Sequence, residues 1–233
     1  MMSSLEYRMP SDKKYKLGYV DDDKSDVASF YKYIKPYQDT ILFERFIPKK
    51  LIDIEELYEK IKESNLDILV IDYRLNEYAN INFLGSDLIH YVHKHRRDFP
   101  CILLTSHPDE AIDNFENVHL VYDKSMIFGS NEENRKRFYR ILISAIEKYI
   151  NDIIGAHDII YELNQKSVLD LEEENQYIKA DEFIEANLDG VFTVPRQLKS
   201  QLHNQELKKL VDEVQELLEK IEEYVPPNQK KDT

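Results

Sequence analysis

The sequence predicts an α/β domain, a doubly wound parallel sheet of five strands, followed by an all-α helical extension. Short apolar runs recur between residues 15 and 124, separated by amphipathic stretches at helical spacing. Such alternation calls for a parallel sheet with right-handed crossovers. Past about residue 150 the alternation stops, and apart from one brief extended stretch only helical spacing continues.

Residues 1–14 are polar and read as a loose tail. Tyr15–Val20 is the first strand and runs straight into Asp21-Asp22-Asp23. A helix over Lys24–Lys35 follows and is closed by Pro36, whose ring and missing N–H do not suit a helix interior. Thr40–Ile47, rich in β-branched and aromatic residues, is the second strand. Leu51, Ile54, Leu57, Tyr58 and Ile61 recur at helical spacing, which predicts an amphipathic helix over 50–64. Leu66–Ile71 is apolar almost throughout, as a central strand buried on both faces must be, and it delivers Asp72 to the sheet edge.

A polar loop at 76–82 leads to a helix over 83–97 with Leu84, Leu88 and Val92 inward. Pro100–Leu104 is the fourth strand and ends at Thr105, Pro108–Asn117 is a short helix, and Val118–Tyr122 is a fifth strand ending near Lys124. A long helix spans about 132–165. The sheet domain is thus expected over 15–150 and an acidic helical region over 151–225, with helices at 168–188 and 196–224 around the extended stretch Val191–Val194. A polar tail closes the chain over 226–233.

With 233 residues, 42% hydrophobic and 33% charged, the chain can bury one good core and a smaller appendage. A net charge of −14 disfavours a nucleic-acid partner, which calls for a basic face. The single cysteine, Cys101, rules out an internal disulfide, and no charged-then-apolar leader opens the chain, so a reducing cytoplasm is the expected compartment. No apolar stretch nears the roughly 18 residues that suggest a membrane span.

Five residues carry the chemistry: Asp21, Asp22, Asp72, Thr105 and Lys124, each directly after an apolar run. A parallel sheet gathers the ends of its strands at one edge, where ligands bind. Three carboxylates, a hydroxyl and an ammonium would meet there. Moving a phosphoryl group onto a carboxylate requires a metal to neutralise charge and a cation and hydroxyl to hold the transferred oxygens. Asp21, Asp22 and Asp72 can supply oxygen ligands for Mg2+, Lys124 can pair with phosphoryl oxygens, and Thr105 can donate to one of them. Taken alone, the acidic triplet would read as an ordinary strand-end loop.

The motifs VDDD at 20–23, LVIDYRL at 69–75, PCILLTS at 100–106 and VYDKS at 121–125 occur in the order of the receiver domain of two-component response regulators, which residues 15–150 resemble. The resemblance implies a flavodoxin-like fold in which Asp21 and Asp22 bind the metal and Asp72 is phosphorylated. It makes Thr105 the switch hydroxyl and Lys124 the lysine typical of the site. It also implies a cognate histidine kinase or phosphotransfer protein as donor, and no enzymatic activity beyond self-phosphorylation from small donors and autodephosphorylation. Three departures stand out. Ser125 follows the lysine where receivers usually have proline, Val121 takes the place of the usual aromatic, and the segment between Asp72 and Gly85 is long. A degenerate receiver acting as a phosphorylation-independent scaffold is the alternative.

His90, His93 and His95 invite a metal reading, but helical geometry puts His90 and His93 on the outer face. Cys101, at a strand start, reads as a packing residue. Ile143, Ile146, Ile150, Ile153 and Ile160 form one stripe, and Leu207, Leu210, Val214, Leu217, Ile221 and Tyr224 another, as in a bundle or broad coiled coil. These faces are expected to bury within the chain, in a homodimer or against a downstream protein partner. Acidic residues dominate both C-terminal helices, so a DNA-binding output is not expected. A phosphotransferase or hydrolase acting on an outside substrate lacks a second base and a phosphate-cradling glycine loop.

Overall fold

The structure, a computed structural model, describes residues 14–48, 52–166 and 168–188. Five strands, β1 (Tyr15–Val20), β2 (Ile41–Phe46), β3 (Ile68–Asp72), β4 (Cys101–Thr105) and β5 (Val121–Asp123), pair in parallel in the order β2-β1-β3-β4-β5. This is the flavodoxin-like doubly wound order, with its topological switch point between β1 and β3 and a ligand crevice at the carboxyl ends of the strands. The fold class expected from the sequence is the one observed.

Strands β3 and β4 are buried along their whole length, which is why they read as continuous apolar runs. Alternate residues serve the two faces. Leu17, Tyr19, Ile68, Val70, Ile102 and Leu104 join the core under α1 (Lys24–Ile34) and α6 (Glu132–Asn164). Val20, Leu69, Ile71, Cys101 and Leu103 join the core under α2 (Ile54–Glu63) and α3 (Gly85–His95), to which Ala111 of α4 (Pro108–Asn114) adds. Pro36 ends α1 as expected, within a 3-10 turn at Lys35–Tyr37.

The fifth strand is shorter than expected. Val118–Leu120 is a 3-10 turn, closed by Leu120 N–H on the Asn117 carbonyl at 2.9 Å, and only Val121–Asp123 pairs with β4. Val118 is 47% exposed, and a β-branched residue favours a strand only on a half-buried pleated surface. A four-residue helix not foreseen in the sequence, α5 (Ser125–Phe128), follows directly. His93 also departs from expectation. It is half-buried, its Nε2 lies 2.9 Å from the Phe99 carbonyl, and burial lowers its pKa, whereas His90 is exposed.

Helix α6 is continuous, capped by Asn131, whose side chain accepts from the N–H groups of Glu133 and Asn134. Residue 150 lies inside it. Its buried line runs through Phe138, Leu142, Ile146, Tyr149, Ala156 and Leu163 rather than along the isoleucines alone; Ile143, Ile150 and Ile153 flank that line. Leu142 and Ile146, between the two aromatics Phe138 and Tyr149, are fully buried.

Helix α7 (Leu171–Leu188) runs back along α6, with Lys166 paired to Glu173 at the far end and Asn187 beside Tyr149 at the near end. Asn187 is fully buried. Its Nδ2 donates to Asp98 Oδ2 and to the Phe183 carbonyl, both at 2.9 Å, and its Oδ1 accepts from the Asp98 N–H at 2.9 Å. The Arg97 N–H donates to the Ala186 carbonyl at 2.9 Å. Asn187→Ala strands these partners, so it is expected to destabilise the protein by about 2 kcal/mol. It should also speed amide exchange over residues 171–188 before the sheet is affected. Unchanged exchange in that segment would remove the clamp.

The extended stretch Val191–Val194, the helix expected at 196–224 with its stripe, and the tail from Pro226 lie outside the described residues, as do residues 1–13. No helix among the described residues is long and apolar enough to cross a membrane.

Candidate functional site

The parallel register brings four strand ends and their successors to one edge. Asp21 and Asp22 follow β1, Asp72 closes β3 beside Leu104, Thr105 closes β4 beside Asp123, and Lys124 follows β5. All five residues are buried, none more than 8% exposed. One oxygen from each of Asp21, Asp22 and Asp72 lies within 4.8 Å of the others.

Lys124 is the hub. Its Nζ lies 2.7 Å from Asp72 Oδ1, 3.0 Å from Asp21 Oδ2 and 2.6 Å from Asp26 Oδ2. Burial opposes the ammonium form, but Asp72, Asp21 and Asp26 outweigh it and raise the lysine pKa. Burial pushes Asp21 up to about 6 and the neighbouring Asp72 charge adds to this, while Lys124, the Tyr19 hydroxyl and the Asp23 N–H pull the other way. Asp72 is raised too, chiefly by burial, despite Lys124 and the Arg74 N–H.

Second partners fix each carboxylate. The Tyr19 hydroxyl donates to Asp21 Oδ2 at 2.6 Å, and Tyr19 is itself stacked on Phe30 with ring centroids 4.1 Å apart. Asp72 Oδ2 accepts from the Arg74 N–H at 2.8 Å. Asp22 Oδ2 accepts from the N–H groups of Tyr78 at 2.5 Å and Ala79 at 2.9 Å. The long β3–α3 connection thus roofs the site, pinned by buried Ala79, Ile81 and Phe83, with Asn80 in the left-handed region at φ 50°. The Thr105 hydroxyl accepts from the His107 N–H at 2.9 Å, which leaves its own proton to donate.

Behind Asp72 the helix α3 begins in direct backbone contact. The Gly85 N–H donates to the Tyr73 carbonyl at 2.8 Å, and a Cβ on Gly85 would stand 2.0 Å from the Asp72 carbonyl oxygen. Ser125 keeps an N–H that donates to Asp123 Oδ1 at 2.6 Å and opens α5.

Sequence reasoning overlooked Asp26, Tyr19 and the Tyr78–Ala79 amides. Tyr19 lies two residues before Asp21, so its spacing carried a signal, whereas Asp26 is one of several acids around the start of α1. The amides carried none.

A pocket of about 200 Å³ opens above these groups, bounded also by Arg74, Glu77, Ser106 and His107. Three carboxylates, Asp21, Asp26 and Asp72, surround one ammonium, and a fourth, Asp22, lies beside Asp21 and Asp72. That imbalance and the all-oxygen donor set suit a hard divalent cation. Among the described residues no other group of His, Cys, Asp or Glu gathers three potential ligands.

No protein-family model and no curated protein matches the chain. Solved structures similar to it include the signal receiver domain of an HD domain-containing protein from Pseudomonas fluorescens Pf-5, at 17% identity and a TM-score of 0.42, covering 58% of this chain and 88% of that one. The N-terminal domain of a response regulator/sensory box/GGDEF 3-domain protein from Carboxydothermus hydrogenoformans matches at 17% identity and a TM-score of 0.42, over 59% of this chain and 98% of that one. A sensor protein from Polaromonas sp. JS666 matches at 13% identity and a TM-score of 0.42, over 60% and 98%.

Proposed function

We propose that this chain is a response regulator of the two-component type. Its receiver domain takes a phosphoryl group on Asp72 and signals through protein contacts of the helical region that α6 leads into. The observation that carries this reading is the convergence of Asp21, Asp22 and Asp72 around Lys124 at the switch-point edge of the sheet.

Mg2+, held by Asp21, Asp22 and Asp72, would supply the positive charge that lets an anionic donor approach an anionic acceptor. The chain's own residues do the rest. One Asp72 oxygen bonds to phosphorus while the donor's bond to phosphorus breaks and its electron pair leaves with the donor. Lys124 holds the product oxygens and Thr105 donates a hydrogen bond to one. A histidine kinase, a phosphotransfer protein or a small acyl phosphate serves as donor. Chemistry is confined to the chain's own phosphorylation and autodephosphorylation, and the lone buried thiol of Cys101 suits a cytoplasmic protein.

Acetyl phosphate with Mg2+ should add one phosphoryl group by intact mass to the wild type and none to Asp72→Asn. Labelling that persists in the variant overturns the assignment. Mg2+ affinity should fall about tenfold per pH unit below about 6, because a proton on Asp21 then competes with the cation. The sign for stability follows from the same shift. Asp21 binds its proton more tightly folded than unfolded, so the metal-free protein loses stability as pH rises from about 4 to about 6, and Mg2+ restores it above that window. An affinity constant from pH 5 to pH 7.5, measured by calorimetry, would contradict this.

One observation favours a second reading, a degenerate receiver that works as a scaffold. Val121 offers no ring on the α3 side of β5, and Tyr122 packs across the other face on Phe138, with ring centroids 5.8 Å apart. Identical light scattering and exchange with and without a phosphoryl mimic would support it.

A further inference from the structure

Arg74 joins two walls of the pocket mouth. Its Nη1 donates to Glu77 Oε1 at 2.9 Å in the β3–α3 connection, and its Nη2 forms a close ion pair with Glu110 of α4. Its backbone N–H is fixed to Asp72 Oδ2 at 2.8 Å, so the guanidinium hangs from the segment that carries the acceptor carboxylate. Both pairs lie in the open, the Arg74 side chain 33% exposed and each glutamate 43%. Exposed pairs of this kind hold weakly.

The pocket is short of cations. Six carboxylates, those of Asp21, Asp22, Asp23, Asp26, Asp72 and Glu77, line it against two permanent cations, Lys124 and Arg74. Lys124 is already enclosed by three of the carboxylates. A phosphoryl group adds up to about two negative charges and three acceptor oxygens, and the planar guanidinium fork matches such oxygens better than it matches two separate glutamates. Helix α4 is short, and apart from this link it meets the β3–α3 connection through Asn114, which faces the Tyr73 hydroxyl. It has seven residues, of which Ala111 alone is buried.

We propose that Arg74 is a phosphoryl-binding latch: when Asp72 carries a phosphoryl group, the guanidinium leaves Glu77 and Glu110 for its oxygens and loosens α4 on the β3–α3 connection. This rests on the reading of Asp72 as phosphoacceptor. It gives the site a route to α4 that needs no aromatic ring at Val121.

The test titrates beryllofluoride with Mg2+, as the phosphoryl mimic, into the full chain and follows amide exchange over residues 108–114. In the wild type, saturation should speed exchange there. In Arg74→Gln, mimic affinity should drop about tenfold, the loss of one charge-assisted hydrogen bond, and saturation should leave 108–114 unchanged. Glu110→Gln removes a competitor for the guanidinium, so it should bind the mimic at least as tightly as the wild type. A wild-type exchange response in saturated Arg74→Gln, or weaker binding by Glu110→Gln, overturns the latch while the phosphoacceptor reading stands. A wild type that gains no phosphoryl mass from acetyl phosphate and binds no mimic brings down both.

Discussion

Lys124→Met is expected to cost the folded protein about 4 kcal/mol at pH 7.5, because removing one partner of a buried ion pair leaves the opposite charge uncompensated. Here three carboxylates, Asp21, Asp26 and Asp72, lose the same ammonium at once. The cost depends on pH. With the ammonium gone, the carboxyl groups of Asp21 and Asp72, already raised by burial, move further up. The variant then binds more protons folded than unfolded and recovers stability as pH falls toward 5. In the wild type the lysine's raised pKa contributes stability at every pH below its unfolded value and loses it only as pH rises through the folded one. Urea unfolding at pH 5 and pH 7.5 separates these cases. Added Mg2+ should stabilise the variant more than the wild type, since a cation then fills the ammonium's electrostatic role. A variant as stable as the wild type at pH 7.5 would mean that the four side chains do not share one buried charge balance.

The second large effect falls on Gly85. A Cβ there would meet the Asp72 carbonyl oxygen at 2.0 Å, and the Asp72 carbonyl carbon and Ile71 Cγ2 at 2.9 Å. Two of these atoms are backbone of a central strand and cannot turn aside as a side chain would. Gly85→Ala is therefore expected to lower stability by about 3 kcal/mol, the upper part of the usual range for overpacking. It should also abolish labelling, because relief of the clash moves Asp72 away from Lys124. Thermal unfolding and intact mass test the two effects separately. A change in stability below about 0.5 kcal/mol, as at an ordinary surface position, would show that α3 can back away without consequence.

Much of this arrangement was legible because strand ends advertise themselves. Ile68–Ile71 and Cys101–Leu104 are buried on both faces, so their apolar runs stop where the sheet stops, and Asp72 and Thr105 mark those stops. The gathering of Asp21, Asp22 and Lys124 at the same edge followed from parallel topology. What escaped the reading depended on side chains meeting across elements. Asp26 reads as one more acid near a helix start until Lys124 reaches across to it. Arg74 and Glu110 are 36 residues apart and meet because the segments that carry them follow the adjacent strands β3 and β4. Asn187 is one polar residue in an acidic helix, and nothing in its neighbourhood announces full burial. The opposite error occurred at Val118, where β-branched character suggested a strand and the absence of a covering layer left a 3-10 turn.

Helix α6, 33 residues without a break, is about 50 Å long. Its first half is seated in the sheet core through Phe138, Leu142 and Ile146, so the projecting arm is the part past Tyr149, about 22 Å long, and a tilt of about 5° would move its tip by about 2 Å. Yet α7 returns from the tip and is bolted to Asp98 through Asn187. Helix α7 lies along that arm and is tied to it at Lys166–Glu173 and at Tyr149–Asn187. A tilt of that arm would therefore strain the hydrogen bonds that Asn187 makes to Asp98.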